Sequence, residues 1–469
     1  MKLYWNKTSF FGYAVLGLLF IRGFLNAVIP LMDKTEARYA EIARIMIITQ
    51  NWITLQIDYG VPFWAKPPLS TWLSALSLKL FGVNEFAVRF PYLLLAALMV
   101  FLIGKYAKRE QLPFFLPGFI LLTLPEFLLH AGVVSTDTSL AFSVALVMLS
   151  FWEALQNNSK WYWKYLIFVG FGLGLLAKGP IIFILTVPPL VVWSFLLKNY
   201  REIFKKIPWL IGSIITLTIA LPWYILTEKA TPGFIDYFII GEHFKRFFDS
   251  SWSGDKYGFP KTQPLGIVWI FLFLFALPWI QIVIYKVWKQ KNQILKNEWV
   301  IFLLIWLLWT PLFFTVSKSL IHPYIMPIMV PIALLATHWY KSLKYRKTLL
   351  KFVLIIPILA FLLVLIESFT KTYTKQYIPT DKYLVLENID SNTKTYHLYS
   401  KSYSTQFYSK GTVENISVED LEQKINNHNE SFKVIIKDRD FKELTLDSQK
   451  KLHPIAKNYK KTIYRYSNK

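Results

Sequence analysis

Residues 33–91 read DKTEARYAEIARIMIITQNWITLQIDYGVPFWAKPPLSTWLSALSLKLFGVNEFAVRFP. This is the first long interval bearing polar groups, and it is set between two apolar runs. It opens with Asp33 and Glu36, and its middle carries Lys66 followed by Pro67 and Pro68. Asp33 stands three residues before Glu36 in a capping arrangement, and TEARYAEIARIMII places Ala40, Ala43 and Ile47 on one side of a helix lying along a membrane surface. Pro67 and Pro68 suit the start of a second helix, with Leu69, Trp72, Leu73 and Leu76 as its apolar face and Gly82 as its end. Lys66, held extended before proline, presents an ammonium at that helix start, where an anionic head group would meet it. Each group also has an ordinary duty. Asp33 as a cap and Glu36 against the helix dipole would stabilise by about 1 kcal/mol, and an interfacial lysine snorkels.

The chain around this stretch is too apolar for a soluble protein. Of 469 residues, 54% are hydrophobic and 17% aromatic, and the mean hydropathy is +0.37. Apolar runs recur at 9–31, 90–104, 113–130, 138–155, 165–177, 180–197, 208–227, 265–285, 299–316, 323–340 and 349–367, which predicts about eleven spans of an all-α polytopic membrane protein. Lys2 and Lys7 ahead of the first run, with no small-residue cleavage pattern after it, read as a retained signal-anchor. Arg22 inside that run is expected to face the protein interior, since an intramembrane charge costs about 2.5–3.5 kcal/mol.

The formal net charge of +23 is mostly a topology signal. With the N-terminus inside, alternate short loops carry Lys105-Lys108-Arg109, Lys160-Lys164, Lys198-Arg201-Lys205-Lys206, Lys286-Lys289-Lys291-Lys296 and Lys341-Lys344-Arg346-Lys347-Lys351. A nucleic-acid partner loses its main support. The absence of cysteine excludes disulfides, thiolate metal sites and a cysteine nucleophile. From residue 370 to 469 polar residues dominate, and β-like runs (Thr395 to Tyr399, Phe432 to Ile436, Thr462 to Tyr466) alternate with helix-like Val418 to Ile425. This predicts a small soluble α/β domain after a membrane domain of residues 1–369, and an odd span count puts it outside.

The outer loops hold what is chemically unusual: 33–89, the turn at Asp137, the turn Lys178-Gly179-Pro180, the large loop 228–263, and Lys318 to His322. In GEHFKRF, Glu242, His243 and Arg246 share a helical face, where Arg246 would fork onto a phosphate or simply pair with Glu242. Asp137 also reads as a helix cap and Lys178 as a turn residue. SKSLIHPYIMP puts Lys318, His322 and Tyr324 at the mouth of a span. Together, Lys66, Lys178, Arg246 and Lys318 form a cation cluster with no nucleotide-binding glycine fingerprint. The chemistry implied is an enzyme using a lipid phosphate, with cations neutralising the leaving group.

TEARYAEIAR, DYGVPFWAKPPLSTWLSALSLKLFGVNEFAVRFP, LAKGP, GEHFKRF and SKS followed by PYIMP, in that order, resemble the lipid A 4-amino-4-deoxyarabinosyl transferases and the related protein O-mannosyltransferases. The similarity runs from about residue 10 to 340. It implies a GT-C glycosyltransferase fold of 11–13 spans with amphipathic juxtamembrane helices. It also implies a polyprenyl (undecaprenyl) phosphate sugar donor and inverting transfer of an amino sugar to lipid A or a related envelope glycolipid, on the periplasmic face of a bacterial inner membrane. The alternatives are O-glycosylation of a protein or another glycan, or a lipid-linked sugar flippase, which the lack of internal repeats disfavours. Carried over by residue, Lys66 and Arg246 hold the donor phosphate with Lys318 assisting, the catalytic acid that orients the acceptor or takes its proton is Asp33 or Glu36, and Asp137 matches an acidic position near the reaction centre. Arg38, Tyr39, Lys178, Glu242, His243 and Tyr324 line the substrate pocket. No cofactor is implied. Relatives place a glutamate before the KPP lysine, near a histidine matching His243, as a metal pair; Ala65 stands there in this chain, so no metal is expected.

Overall fold

The computed structural model describes residues 8–197, 200–245, 254, 256–257, 263–390, 393–427 and 430–467, without the side chains of residues 243 and 244. Each apolar run becomes a helix or a helix pair. The first part of the chain gives α1 (Thr8–Val28), α2 (Thr35–Thr49), α3 (Leu69–Phe81), α4 (Glu85–Arg109), α5 (Leu116–Leu122), α6 (Pro125–His130), α7 (Thr136–Leu155), α8 (Tyr162–Lys178), α9 (Ile181–Leu196), α10 (Tyr200–Lys206) and α11 (Trp209–Ala230). Pro125 divides the run 113–130 into α5 and α6, and the run 265–285 bends by 104° between Ile267–Phe275 and Trp279–Lys289. Among the described residues, five helices are long and apolar enough to cross a membrane, or six with that bent pair counted as one span. Arg22 is buried, as an intramembrane charge requires.

Two expectations for the opening stretch are corrected. Asp33 does not cap α2: Lys34 occupies the N-cap without a side-chain bond, and the Asp33 carboxylate instead accepts from the backbone N–H of Ser404 at 3.0 Å and from its hydroxyl. Helix α2 is packed within the molecule. It is buried on several faces, because the later helix Tyr403–Tyr408 covers the side that α3 does not. Helix α3 has the predicted limits, closing at Gly82 with φ +80°. Its buried side, however, is Ser70, Thr71, Ser74, Ala75, Ser77 and Leu78, while Leu76 is exposed. Beside a membrane, small and hydroxyl residues pack between helices while the large apolar ones are left for lipid, which inverts the soluble-protein pattern. Ser74 donates to the Val88 carbonyl at 3.0 Å, Ser77 donates to Ala87, and the hydroxyls of Ser70 and Ser139 lie 3.0 Å apart, joining α3 to α4 and α7.

The C-terminal residues form a five-stranded sheet in the order β4-β3-β5-β7-β6, with β3 (Thr395–Leu398) parallel to both β4 (Glu414–Ile416) and β5 (Phe432–Lys437). Strand β7 (Lys461–Tyr466) runs antiparallel to β5 and pairs with β6 (His453–Asn458). A short hairpin in the opening stretch supplies β1 (Gln56–Asp58) and β2 (Val61–Pro62). The predicted strands match β3, β5 and β7. The edge strands β4 and β6 escape hydrophobic patterning because they are largely exposed and polar, and β6 carries Pro454 and a register irregularity.

One apolar cluster runs through both parts of the molecule: Leu31, Ala37, Ala40, Ala43 and Phe63 from the opening stretch pack with Leu384, Val385, Phe407, Tyr408, Ile435 and Ile463. Polar ties frame it. Lys382 and the Tyr408 hydroxyl meet Glu85 at 2.7 and 3.0 Å, and Arg44 reaches the Lys410 carbonyl at 3.1 Å. Gly411, at φ +85°, leaves room for that guanidinium: a Cβ there would lie 2.9 Å from it.

Candidate active site

Helices α7 and α8 are joined by a short connection and pack as an antiparallel pair, so the first turn of one lies beside the last turn of the other. Asp137 occupies that first turn and Lys178 that last residue, each at the helix end whose dipole favours its charge. Their side chains meet at 2.6 Å, and the Lys178 ammonium also lies 4.2 Å from the centre of the Tyr324 ring. Tyr324 comes from the 3-10 helix His322–Ile328, which packs against α7. The bond between Ser70 and Ser139 draws the start of α3 to the same place, and with it Lys66. The Lys66 ammonium donates to the Ala65 carbonyl at 2.6 Å and makes a longer contact of 3.4 Å with Glu242.

These residues line a cavity of about 250 Å³. Lys66, Asp137, Lys178, Glu242, Ser317, Ser319 and Tyr324 supply its polar side, and Leu140, Ile181, Ile184, Leu185, Phe313 and Phe314 its apolar wall. Two cations, two acids and a phenol at the end of an apolar wall suit an anion that carries a hydrocarbon tail. Ser317 and Ser319 were not singled out from the sequence, although they flank Lys318 in a motif that was.

Five of the twelve expected site residues therefore line one cavity: Lys66, Asp137, Lys178, Glu242 and Tyr324. Others lie elsewhere. Glu36 is buried and accepts from Arg89 at 2.8 and 2.7 Å, with a further bond from the Val134 N–H at 3.2 Å. A carboxylate so fully paired holds the opening stretch to α4 and is not presented to a substrate. Sequence reasoning overlooked Arg89, its partner within the same quoted stretch. Asp33 lines a separate cleft of about 1040 Å³ between the opening stretch and the C-terminal sheet. Burial, and then the charge of Asp381, raise the Asp33 pKa above the usual carboxylate range. Against that same burial, Lys461 with Ser402 and Thr405 holds the Asp381 carboxyl below it.

Arg38 donates to the Tyr257 carbonyl at 2.5 Å and lies over the rings of Tyr39 and Phe63, so Arg38 and Tyr39 support the loop beside the cavity without lining it. Lys318 is exposed and outside the lining, its carbonyl accepting from Gln263 at 2.7 Å. Glu242 and His243 belong to a π-helix, Asp236–Lys245, so the spacing assumed for an α-helical face does not apply. The His243 side chain and Arg246 lie outside the described residues.

A family model described as dolichyl-phosphate-mannose-protein mannosyltransferase matches residues 29–238. Among curated proteins, the chain is 27% identical over 347 residues to undecaprenyl phosphate-alpha-4-amino-4-deoxy-L-arabinose arabinosyl transferase 2 of Pseudomonas fluorescens (strain Pf0-1), covering 72% of this chain and 60% of that one. It is 30% identical over 352 residues to the protein of the same name from Proteus mirabilis (strain HI4320), covering 70% and 59%. The chain thus spans about three-fifths of the length of the curated relatives it matches. Among solved structures, ArnT from Cupriavidus metallidurans bound to undecaprenyl phosphate superposes with a TM-score of 0.76 at 16% identity, over 98% of each chain. The chain has the fold of ArnT. That is the GT-C fold which the motifs imply, with its helical membrane part and small C-terminal sheet. An archaeal oligosaccharyltransferase, AglB from Archaeoglobus fulgidus, is a more distant neighbour, with a TM-score of 0.51 at 13% identity over 93% of this chain and 70% of that one.

Proposed function

We propose that the chain is an inverting glycosyltransferase that moves an amino sugar from a polyprenyl phosphate to lipid A or a related envelope glycolipid. The observation that carries this reading is the cavity in which Lys66 and the Lys178–Asp137 pair stand at the end of an apolar wall. Lys66 and Lys178 meet the donor phosphate, and the wall of Ile181, Ile184, Leu185, Phe313 and Phe314 takes the first units of the prenyl chain. The names of the relatives, and the undecaprenyl phosphate bound to ArnT from Cupriavidus metallidurans, support that donor class.

The acceptor oxygen attacks the anomeric carbon from the face opposite the phosphate. The bond from that carbon to the phosphate oxygen breaks, and its electron pair leaves with the polyprenyl phosphate. The two ammonium groups stabilise the charge that develops there. Asp137, oriented by Lys178, takes the proton of a hydroxyl acceptor; an acceptor that is already an ionised phosphate needs no base. Glu242, beside Lys66, positions the amino group of the sugar. Arg246 joins the donor phosphate on the resemblance of GEHFKRF, and Lys318 assists at the cavity mouth. Asp33 and Glu36 act through structure.

The alternation of basic loops supports a reading in which the cavity and the C-terminal sheet face the periplasm across a bacterial inner membrane. The natural absence of cysteine makes single-cysteine labelling a direct test of that orientation. For the reaction, the full chain in lipid nanodiscs is incubated with undecaprenyl-phosphate aminoarabinose and lipid A, and the products are weighed by mass spectrometry. One sugar added per acceptor, lost in Lys66→Ala, is the expected result. Full transfer by Lys66→Ala would overturn the reading.

A further inference from the structure

Among the described residues, one group of three metal-capable side chains converges outside the lining of the Lys66 cavity: Glu126, His130 and His322. Glu126 and His130 stand at i and i+4 on α6, on the same side of the helix. His322 opens the 3-10 helix that carries Tyr324. The Nδ1 atoms of His130 and His322 each lie 2.9 Å from an oxygen of Glu126, and the three donor positions all fall within 4.8 Å of one another. Glu126 is wholly buried and His130 nearly so, whereas the His322 side chain is 35% exposed, which leaves the group one open side. Phe275 stacks on the His322 ring with centroids 4.7 Å apart, so the imidazole is held in orientation.

The plain reading is a carboxylate accepting two imidazole N–H bonds. The donor set argues for more. Two imidazoles and one carboxylate are the ligands of a three-residue zinc site that keeps its fourth position open. At metal–ligand distances of about 2.0–2.2 Å, ligand atoms stand roughly 3–3.6 Å apart, so separations of 2.9 Å need to widen by only a few tenths of an ångström. A buried carboxylate also requires compensating positive charge, which a divalent ion supplies with both imidazoles neutral.

We propose that Glu126, His130 and His322 form a binding site for a zinc-class divalent cation that ties α6 to the 3-10 helix bearing Tyr324. Its role is to hold one wall of the cavity, and the site stands whether or not the transferase reading does.

The test uses the full chain, purified without a metal-affinity step, loaded with Zn²⁺ and washed with a weak chelator. Zinc per chain is read by plasma mass spectrometry and its ligand shell by X-ray absorption. Stoichiometric zinc with imidazole scattering is expected, falling at least about tenfold in His322→Gln and Glu126→Gln. The control His338→Gln, which removes the separate His338–Glu110 pair, should retain it. Because Glu126→Gln removes a buried charge and can fail to fold, the decisive variant is the partly exposed His322→Gln, with thermal melting of the wild type before and after strong chelation as a second readout. No retained zinc, or equal zinc in wild type and His322→Gln, overturns the proposal.

Discussion

The small cavity around Lys66 and the larger cleft around Asp33 both gather cations and acids, and they differ in how those charges are used. In the cleft, Asp33 is held by Ser404, and Asp381 by Ser402, Thr405 and Lys461, so the acids are spent on local hydroxyls and one lysine. At the cavity, Lys66 makes one bond to its neighbouring carbonyl and a long contact to Glu242, beside an apolar wall. The volume of a concavity is therefore a poor guide to chemistry here. What separates the two is the apolar wall that adjoins the charged groups of the small cavity and is missing from the lining of the cleft.

Four substitutions test that contrast. The largest effect is expected at Arg89→Met, which leaves Glu36 buried without its partner: stability falls by about 3–5 kcal/mol, read as detergent-resistant folded fraction, while the folded remainder keeps its transfer rate. Lys66→Ala should leave the melting temperature nearly unchanged and slow transfer about 10²–10³-fold, measured with lipid-linked donor. Third comes pH. Burial, and then the charge of Lys461, push the pKa of His397 on β3 down to about 4 from an ordinary 6.5. The unfolded chain therefore takes up a proton that the folded sheet refuses, so stability is lost as pH falls from about 6.5 to about 4, by up to about 3 kcal/mol. Hydrogen exchange in the sheet should show that slope, and His397→Leu should flatten it. The smallest effect is expected at Ser404→Ala, which removes the hydroxyl bond to Asp33 and the acceptor of the Asp381 N–H and costs about 1–3 kcal/mol without altering transfer by the folded chain. A rate loss there as large as that of Lys66→Ala would mean that the cleft is the reaction site.

The helical membrane part was legible because hydrophobic runs of bilayer length leave few alternatives, and α7, α8 and α11 stand close to their predicted limits. Lys66, Asp137, Lys178 and Tyr324 were legible as types on one side of the membrane. Their meeting was not, since it depends on the antiparallel pairing of α7 with α8 and on a serine contact that no periodicity reveals. The serine face of α3 misled because apolar patterning assumes water outside. Asp33 and Glu36 misled because their partners, Ser404 and Arg89, lie 371 and 53 residues away. The triad of Glu126 with His130 and His322 joins residues 196 apart, and the i, i+4 spacing of Glu126 and His130 gives no hint of the third member.

The apolar cluster that joins α2 to residues 384–463 also sets an order of events. A ribosome delivers Leu31 to Phe63 well before Phe407, Ile435 and Ile463. Until those later residues emerge, the side of α2 that α3 does not cover stays open, and Arg44 lacks the carbonyl of Lys410. The opening stretch is thus completed by residues translated long after it, so a chain cut short before residue 384 leaves that stretch uncovered.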